Sequence, residues 1–207
     1  MLLTSTAGFA LLYVAATASL GTTPEATDSG AAVAAWFLDN REHVRLWLWL
    51  STLGVPFFAV FATLVRSSLP SPHRDLFFFG AIAFVAETAV QGWFWAGLSL
   101  HPDQLDPATA RTLLDVASFW GPVLTATTIM TLAPVALLAL RREAGLPRWL
   151  GVVSAVALVE QVAETVTTMG THGFTAPGGP MNLFLGAGLV AVAWISLGIA
   201  VARAMAD

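Results

Sequence analysis

The chain contains no cysteine and no lysine, and few charges of either sign. Without cysteine, neither a disulfide framework nor a thiolate metal site can form. All nine basic residues are arginine, a coding bias that carries no function of its own. Only 11% of the 207 residues are charged, against about 25% in an ordinary soluble domain. The net charge of −4 provides no basic patch, so nucleic acid is not an expected partner. Several enzyme signatures are missing: Gly-x-Ser-x-Gly, His-Glu-x-x-His and a phosphate loop. No paired Asp-rich motif is present to hold a diphosphate through magnesium, which argues against a diphosphate-ionising prenyl transferase.

What the chain has in abundance is apolar sequence, 57% of all residues. Six stretches satisfy the requirement of about 20 mostly apolar residues for crossing a bilayer: 2–20, 44–65, 76–100, 107–140, 149–169 and 182–204. The expectation is an all-α integral membrane protein, a six-transmembrane-helix bundle forming a single domain over 1–207. The first stretch has small residues near Ala16–Ala18, as a secretory signal would. It lacks a basic leading region, however, and is expected to be a membrane helix. The fourth should start at Pro107 with Asp106 as N-cap, with Pro122 and Pro134 bending it. Between the first two spans, Ala31–Leu38 fits either a short interfacial helix anchored by Trp36 and Phe37, or a loop.

The arginines are distributed unevenly. Arg66, Arg74, Arg141, Arg142, Arg148 and Arg203 fall on one side, and Arg41, Arg45 and Arg111 on the other. The arginine-rich side is expected to be cytoplasmic, with both termini there and the chain in the inner (plasma) membrane.

Three glutamates lie inside the apolar stretches. Glu87, Gln91 and Trp95 recur at i, i+4 and i+8 and share one helix face. Glu160, Glu164 and Thr168 do the same two spans later, and Asp115, Ser118, Thr125 and Thr128 add a polar stripe between them. Lipid offers no hydrogen-bond partner, so these faces should turn inward. No arginine is expected at that depth, and at least one carboxyl should therefore keep its proton. Such a group is suited to general acid catalysis, and tryptophan ring faces suit the cation it would form. Alternatively, Glu, Gln and Thr could simply tie helices together, at about 0.6–2 kcal/mol per hydrogen bond. A metal is not expected, because the facing Glu-x-x-His pairs of di-metal bundles are absent. Haem is not expected either, since His43, His73, His101 and His172 all lie outside the spans. No cofactor is inferred.

Val85-Ala86-Glu87-Thr88 recurs as Val162-Ala163-Glu164-Thr165, with a weaker echo at Val14–Thr17. This is either a parallel repeat or chance in an Ala/Val-rich chain. The phrases Leu105-Asp106-Pro107-Ala108-Thr109-Ala110-Arg111 and Gly145-Leu146-Pro147-Arg148-Trp149-Leu150-Gly151, with six spans and short arginine-rich loops, resemble those of small multi-span proteins from high-GC bacteria. That resemblance implies topology and no defined activity. In kind rather than sequence, Glu87, Glu164 and Trp95 resemble the elements used by membrane-integrated terpene cyclases and emopamil-binding-type sterol isomerases.

The leading expectation is an enzyme that cyclises or isomerises a small lipophilic, terpenoid-like substrate. Glu87 or Glu164 would be the acid, assisted by Glu160 and Gln91, and Trp93, Trp95 and Trp120 would line the cavity, with Asp115 and Thr168 as further binding residues. One alternative is a proton-coupled transporter or binding protein for a lipophilic compound, and another is a structural subunit of a membrane complex. The expected partners are the bilayer and the substrate, with a homo-oligomer left open.

Overall fold

A computed structural model describes residues 1–205, and all regular structure among them is helical. The helices are α1 (Leu2–Leu20), α2 (Gly30–Asp39), α3 (Arg41–Ser68), α4 (His73–Leu100), α5 (Pro107–Ser118), α6 (Trp120–Leu140), α7 (Arg148–Glu164) and α8 (Ala187–Ala204). Six segments are long and apolar enough to cross a membrane: Leu2–Leu20, Arg41–Ser68, His73–Leu100, Pro107–Leu140, Arg148–Met169 and Met181–Ala204. The expected spans are all present, most of them a turn or less longer at their ends.

Each span packs on the next, in the order α1, α3, α4, α6, α7, α8, and α8 returns to α1. The result is an up-and-down ring. One end carries the short connections 69–72 and 141–147. The other carries the longer ones, with α2 and α5. Near the short-loop end the ring is filled by Phe58, Phe61, Phe77, Leu132, Leu138, Leu150, Trp194 and Leu197. At the long-loop end a second core gathers Val33, Phe37, Val44, Trp95, Leu98, Ala110 and Leu114.

Local chemistry explains the departures from plain helix. Pro122 has no N–H to offer Ser118 and its ring crowds that carbonyl. The fourth span accordingly breaks at Phe119, dividing it into α5 and α6. Pro134 leaves α6 continuous. Asp106 caps α5 by accepting from Thr109 N–H at 2.9 Å. Segment 31–38 is helical, capped by Ser29. It packs on α5, with Val33 and Phe37 fully buried, and so roofs the bundle.

Candidate functional site

The buried face of α7 reads Leu150, Gly151, Ser154, Ala157, Glu160, Gln161 and Glu164, the i, i+3, i+4, i+7 spacing of one helical stripe. Three polar side chains thus occupy the core-facing stripe at mid-bundle, Glu160 at 8% exposure and Glu164 at 3%. Gln161 lies between the two carboxyls. Its Nε2 donates to Glu160 Oε2 at 2.9 Å and to Glu164 Oε2 at 2.5 Å. Its Oε1 accepts from the Thr128 hydroxyl of α6.

Beyond Glu164 the chain tightens into a 3₁₀ turn over Thr165–Met169. At three residues per turn, the residue stacked on Glu164 is i+3 rather than i+4. Thr167 is therefore the buried one, while Thr168 is exposed. From the opposite side, a π-helical turn over Met181–Gly186 delivers Asn182. Asn182 Nδ2 donates to Glu164 Oε1 at 2.5 Å and to Thr167 Oγ1 at 3.3 Å, and Oδ1 accepts from Gly178 N–H at 3.0 Å. Both oxygens of Glu164 thus accept from neutral amides. Glu160 Oε1 is buried with no partner among the described residues.

Two glycines make this packing feasible. A Cβ on Gly121 would stand 2.5 Å from Asn182 Cγ, and one on Gly186 would fall on Glu164 Oε2. No ion pair among the described residues involves Glu87, Glu160 or Glu164. Nor do three His, Asp or Glu side chains converge there as a metal would require.

Glu164, Gln161, Thr128 and Asn182 line a cavity of about 40 Å³, enough for a few waters or the end of a ligand. Phe9, Tyr13, Phe84 and Trp120 line it too, and they also line a second chamber of about 500 Å³ toward the long-loop end. That volume falls in the range of about 300–1,000 Å³ typical of ligand pockets. The two spaces share these rings, so the small cavity that holds the carboxyl of Glu164 adjoins the deep end of a largely apolar chamber.

The residues expected from the sequence divide into two groups. Glu164 reaches the inner cavity, and Gln91, Trp95 and Trp120 line the chamber. Glu160 sits behind Glu164 and lines neither space. Glu87 also lines neither. It lies between α4 and α6, within 3.0 Å of the Thr127 hydroxyl, while Gln161 meets the next residue, Thr128. Glu87 is therefore level with the α7 cluster but on the other flank of α6. Trp93 is not a cavity residue. It lies roughly 200° round α4 from Gln91 and is 71% exposed on the outer wall. Asp115 is also outside, paired with Arg111 at 2.5 Å. Sequence reasoning missed Gln161 and Asn182, the two amides that organise Glu164. Both are strongly polar residues within or at the edge of apolar stretches, the same signal that marked the glutamates.

No protein-family model, curated protein or solved structure matches this chain.

Proposed function

We propose that the chain is a membrane-embedded enzyme that isomerises or cyclises a small lipophilic alkene, with Glu164 as the general acid. One observation carries this reading: of the three intramembrane glutamates, Glu164 is the one that lines either of the two spaces, and its cavity shares Phe9, Tyr13, Phe84 and Trp120 with the apolar chamber. The proton of Glu164 adds to an alkene carbon, leaving a carbocation and the Glu164 carboxylate. The ring faces of Trp120, Phe84 and Trp194, all lining the same cavity, attract that positive charge. The carboxylate then takes a proton from a neighbouring carbon, either directly or after ring closure. No oxidant or water is consumed. Gln161 and Asn182 orient the carboxyl and accommodate its negative form. Positioned general acids contribute about 10²–10⁴-fold to a rate. In a plasma-membrane setting, the arginine asymmetry favours the short-loop end and both termini facing the cytoplasm.

The test is proton exchange. Purified protein in lipid nanodiscs is incubated in D₂O with a panel of terpenoid and sterol-like alkenes, and products are read by mass spectrometry. Deuterium should appear at the former alkene carbon with the wild type and not with Glu164→Gln, which keeps the shape and removes the acid. Exchange that survives in Glu164→Gln, or is absent throughout the panel with the wild type, overturns the reading.

A second reading, a carrier or binding protein for a lipophilic cation, is favoured by one detail. Both Glu164 oxygens accept from amides, an arrangement that also suits a standing carboxylate waiting for a positive ligand. Flux of a lipophilic amine into proteoliposomes, absent in Glu164→Gln, would establish it.

A further inference from the structure

The chamber is covered in part at the long-loop end and closed along one of its lateral seams. The strap Thr22–Thr27 forms part of its lining at the long-loop end. It is fastened at both ends: Trp36 Nε1 donates to Thr22 O at 2.9 Å, and Arg111 Nη1 donates to Glu25 O at 3.0 Å and Asp28 O at 3.2 Å. The roof continues in the segment around Ala176–Gly179, pinned by the bond from Gly178 N–H to Asn182. At the deep end stand Phe9, Phe58 and Phe84, with Phe58 5.0 Å from Phe9 and 5.4 Å from Phe84 between ring centroids, and Phe9 and Phe84 are shared with the cavity of Glu164.

The seam between α3 and α4 is stitched along its length. Phe58 meets Phe84 at 5.4 Å, Trp47 meets Trp95 at 5.4 Å, and Arg41 Nη2 donates to Leu100 O at 3.2 Å. The seam between α1 and α8 is different. It is tight at the short-loop end, where Gly198 abuts Thr6 and Phe9 meets Trp194 at 6.1 Å. Toward the long-loop end, Tyr13, Thr17 and Leu20 of α1 line one side of the chamber, and Leu183, Phe184 and Ala187 line the other. Phe184 is 72% exposed on the outer wall while it also lines the chamber. A side chain that touches both spaces is the edge of an opening. The flanking helices are span-length and apolar, so the medium on the far side of that edge is hydrocarbon.

We infer that the chamber is filled sideways from the bilayer, through the gap between α1 and the start of α8, by a molecule already dissolved in the acyl-chain phase. This rests on the chamber being the ligand site. It adds the route and the physical state of the ligand: a membrane-partitioned lipophile, drawn from the leaflet at the long-loop end. Phe184 and Thr17 form the two sides of the gap, and the chamber beyond them adjoins the cavity of Glu164.

The probe is a phosphatidylcholine with a diazirine at the end of one acyl chain, incorporated into vesicles with the full chain. A lipid anchored by its headgroup can place that diazirine in the chamber only from the side. Photolysis should label the side chains of Gln91 and the buried Trp95, resolved residue by residue by fragmentation from Trp93 on the outer wall of the same helix. Because the chain has no cysteine, paired cysteines can be bridged cleanly by a reducible bis-thiosulfonate. Bridging Thr17→Cys to Phe184→Cys should remove most of the chamber labelling, and reduction should restore it. Bridging Glu25→Cys to His172→Cys across the roof should leave it unchanged. Labelling that persists with the seam bridged, falls equally with the roof bridged, or never reaches the chamber overturns the inference. Recovery on reduction separates a closed gap from a misfolded variant. The deuterium experiment on Glu164→Gln reads the chemistry independently of the route, so either idea can fail alone.

Discussion

At the scale of single residues, the site depends on which neutral donors meet which carboxyl. Asn182 occupies all three of its polar contacts within the cluster. Asn182→Leu keeps the volume but strips donors from Glu164 and Thr167 and leaves Gly178 N–H unpaired. Each orphaned buried group costs about 1–3 kcal/mol, so this variant should melt measurably lower and lose turnover. Glu87→Gln should behave in the opposite way. Its amide can still meet Thr127, and it faces no cavity, so stability and turnover should both stay near wild type. Assays of the two variants side by side decide the matter, and a folded but inactive Glu87→Gln would move the acid back to α4. The sequence marked all three glutamates, because a carboxyl within an apolar run stands out in any span. It could not rank them. Ranking needed the side of α6 on which each one falls, and that is set by helix packing rather than by spacing along one helix.

At the scale of elements, the spans were legible and their irregularities were not. Length and hydropathy fix a membrane helix because every backbone polar group in hydrocarbon must bond internally. The tightening at Thr165 and the widening at Met181 are tertiary choices, and they carry Thr167 and Asn182 into the cluster while turning Thr168 outward. Glycine spacing shows the same dependence on neighbours. A Cβ on Gly151 would stand 2.6 Å from Leu140 N and 3.0 Å from Ala139 C, both backbone atoms, whereas one on Gly97 meets nothing within 4 Å. Gly151→Ala should therefore force α7 off α6, an overpacking cost of about 1–3 kcal/mol. Gly97→Ala should be neutral or slightly stabilising, since alanine is the better helix former. Thermal melts of both in the same nanodiscs check this, and equal losses would count against the close α6–α7 seam.

The α5 cap also makes a pH-dependent contribution. The backbone N–H of Thr109, with its hydroxyl, holds the Asp106 carboxyl below its ordinary 3.8. A lowered folded value means the cap stabilises the ionised form. Its contribution is complete above the ordinary value and disappears as the pH falls through the lowered one. Wild type and Asp106→Ala should differ in melting temperature at neutral pH and converge under strong acid, while the gap between Asp106→Asn and Asp106→Ala should not change with this titration.

At the scale of the whole molecule, the ring of six spans places all the short, arginine-rich connections at one end. Single cysteines at Ser71 and Ala144 should react with an impermeant maleimide only from the cytoplasmic side, and those at Ser29 and Thr175 only from the opposite side. Reaction of Ser29→Cys and Ser71→Cys from the same side would contradict the proposed orientation.

The position of Asn182 late in the chain also bears on when the acid cluster can be completed. α7 leaves the ribosome carrying Glu160 and Glu164 before the residue that completes their hydrogen bonding has been synthesised. Placing an ionised side chain at a helix centre costs about 2.5–3.5 kcal/mol on an insertion scale, and Gln161 alone must serve both carboxyls until then. α6 is already made by that stage, with Thr128 available to hold Gln161. The last span therefore does more than close the ring against α1. Its opening turn supplies the second amide to Glu164, so the hydrogen bonding of the acid cluster is complete only once the last span has been made.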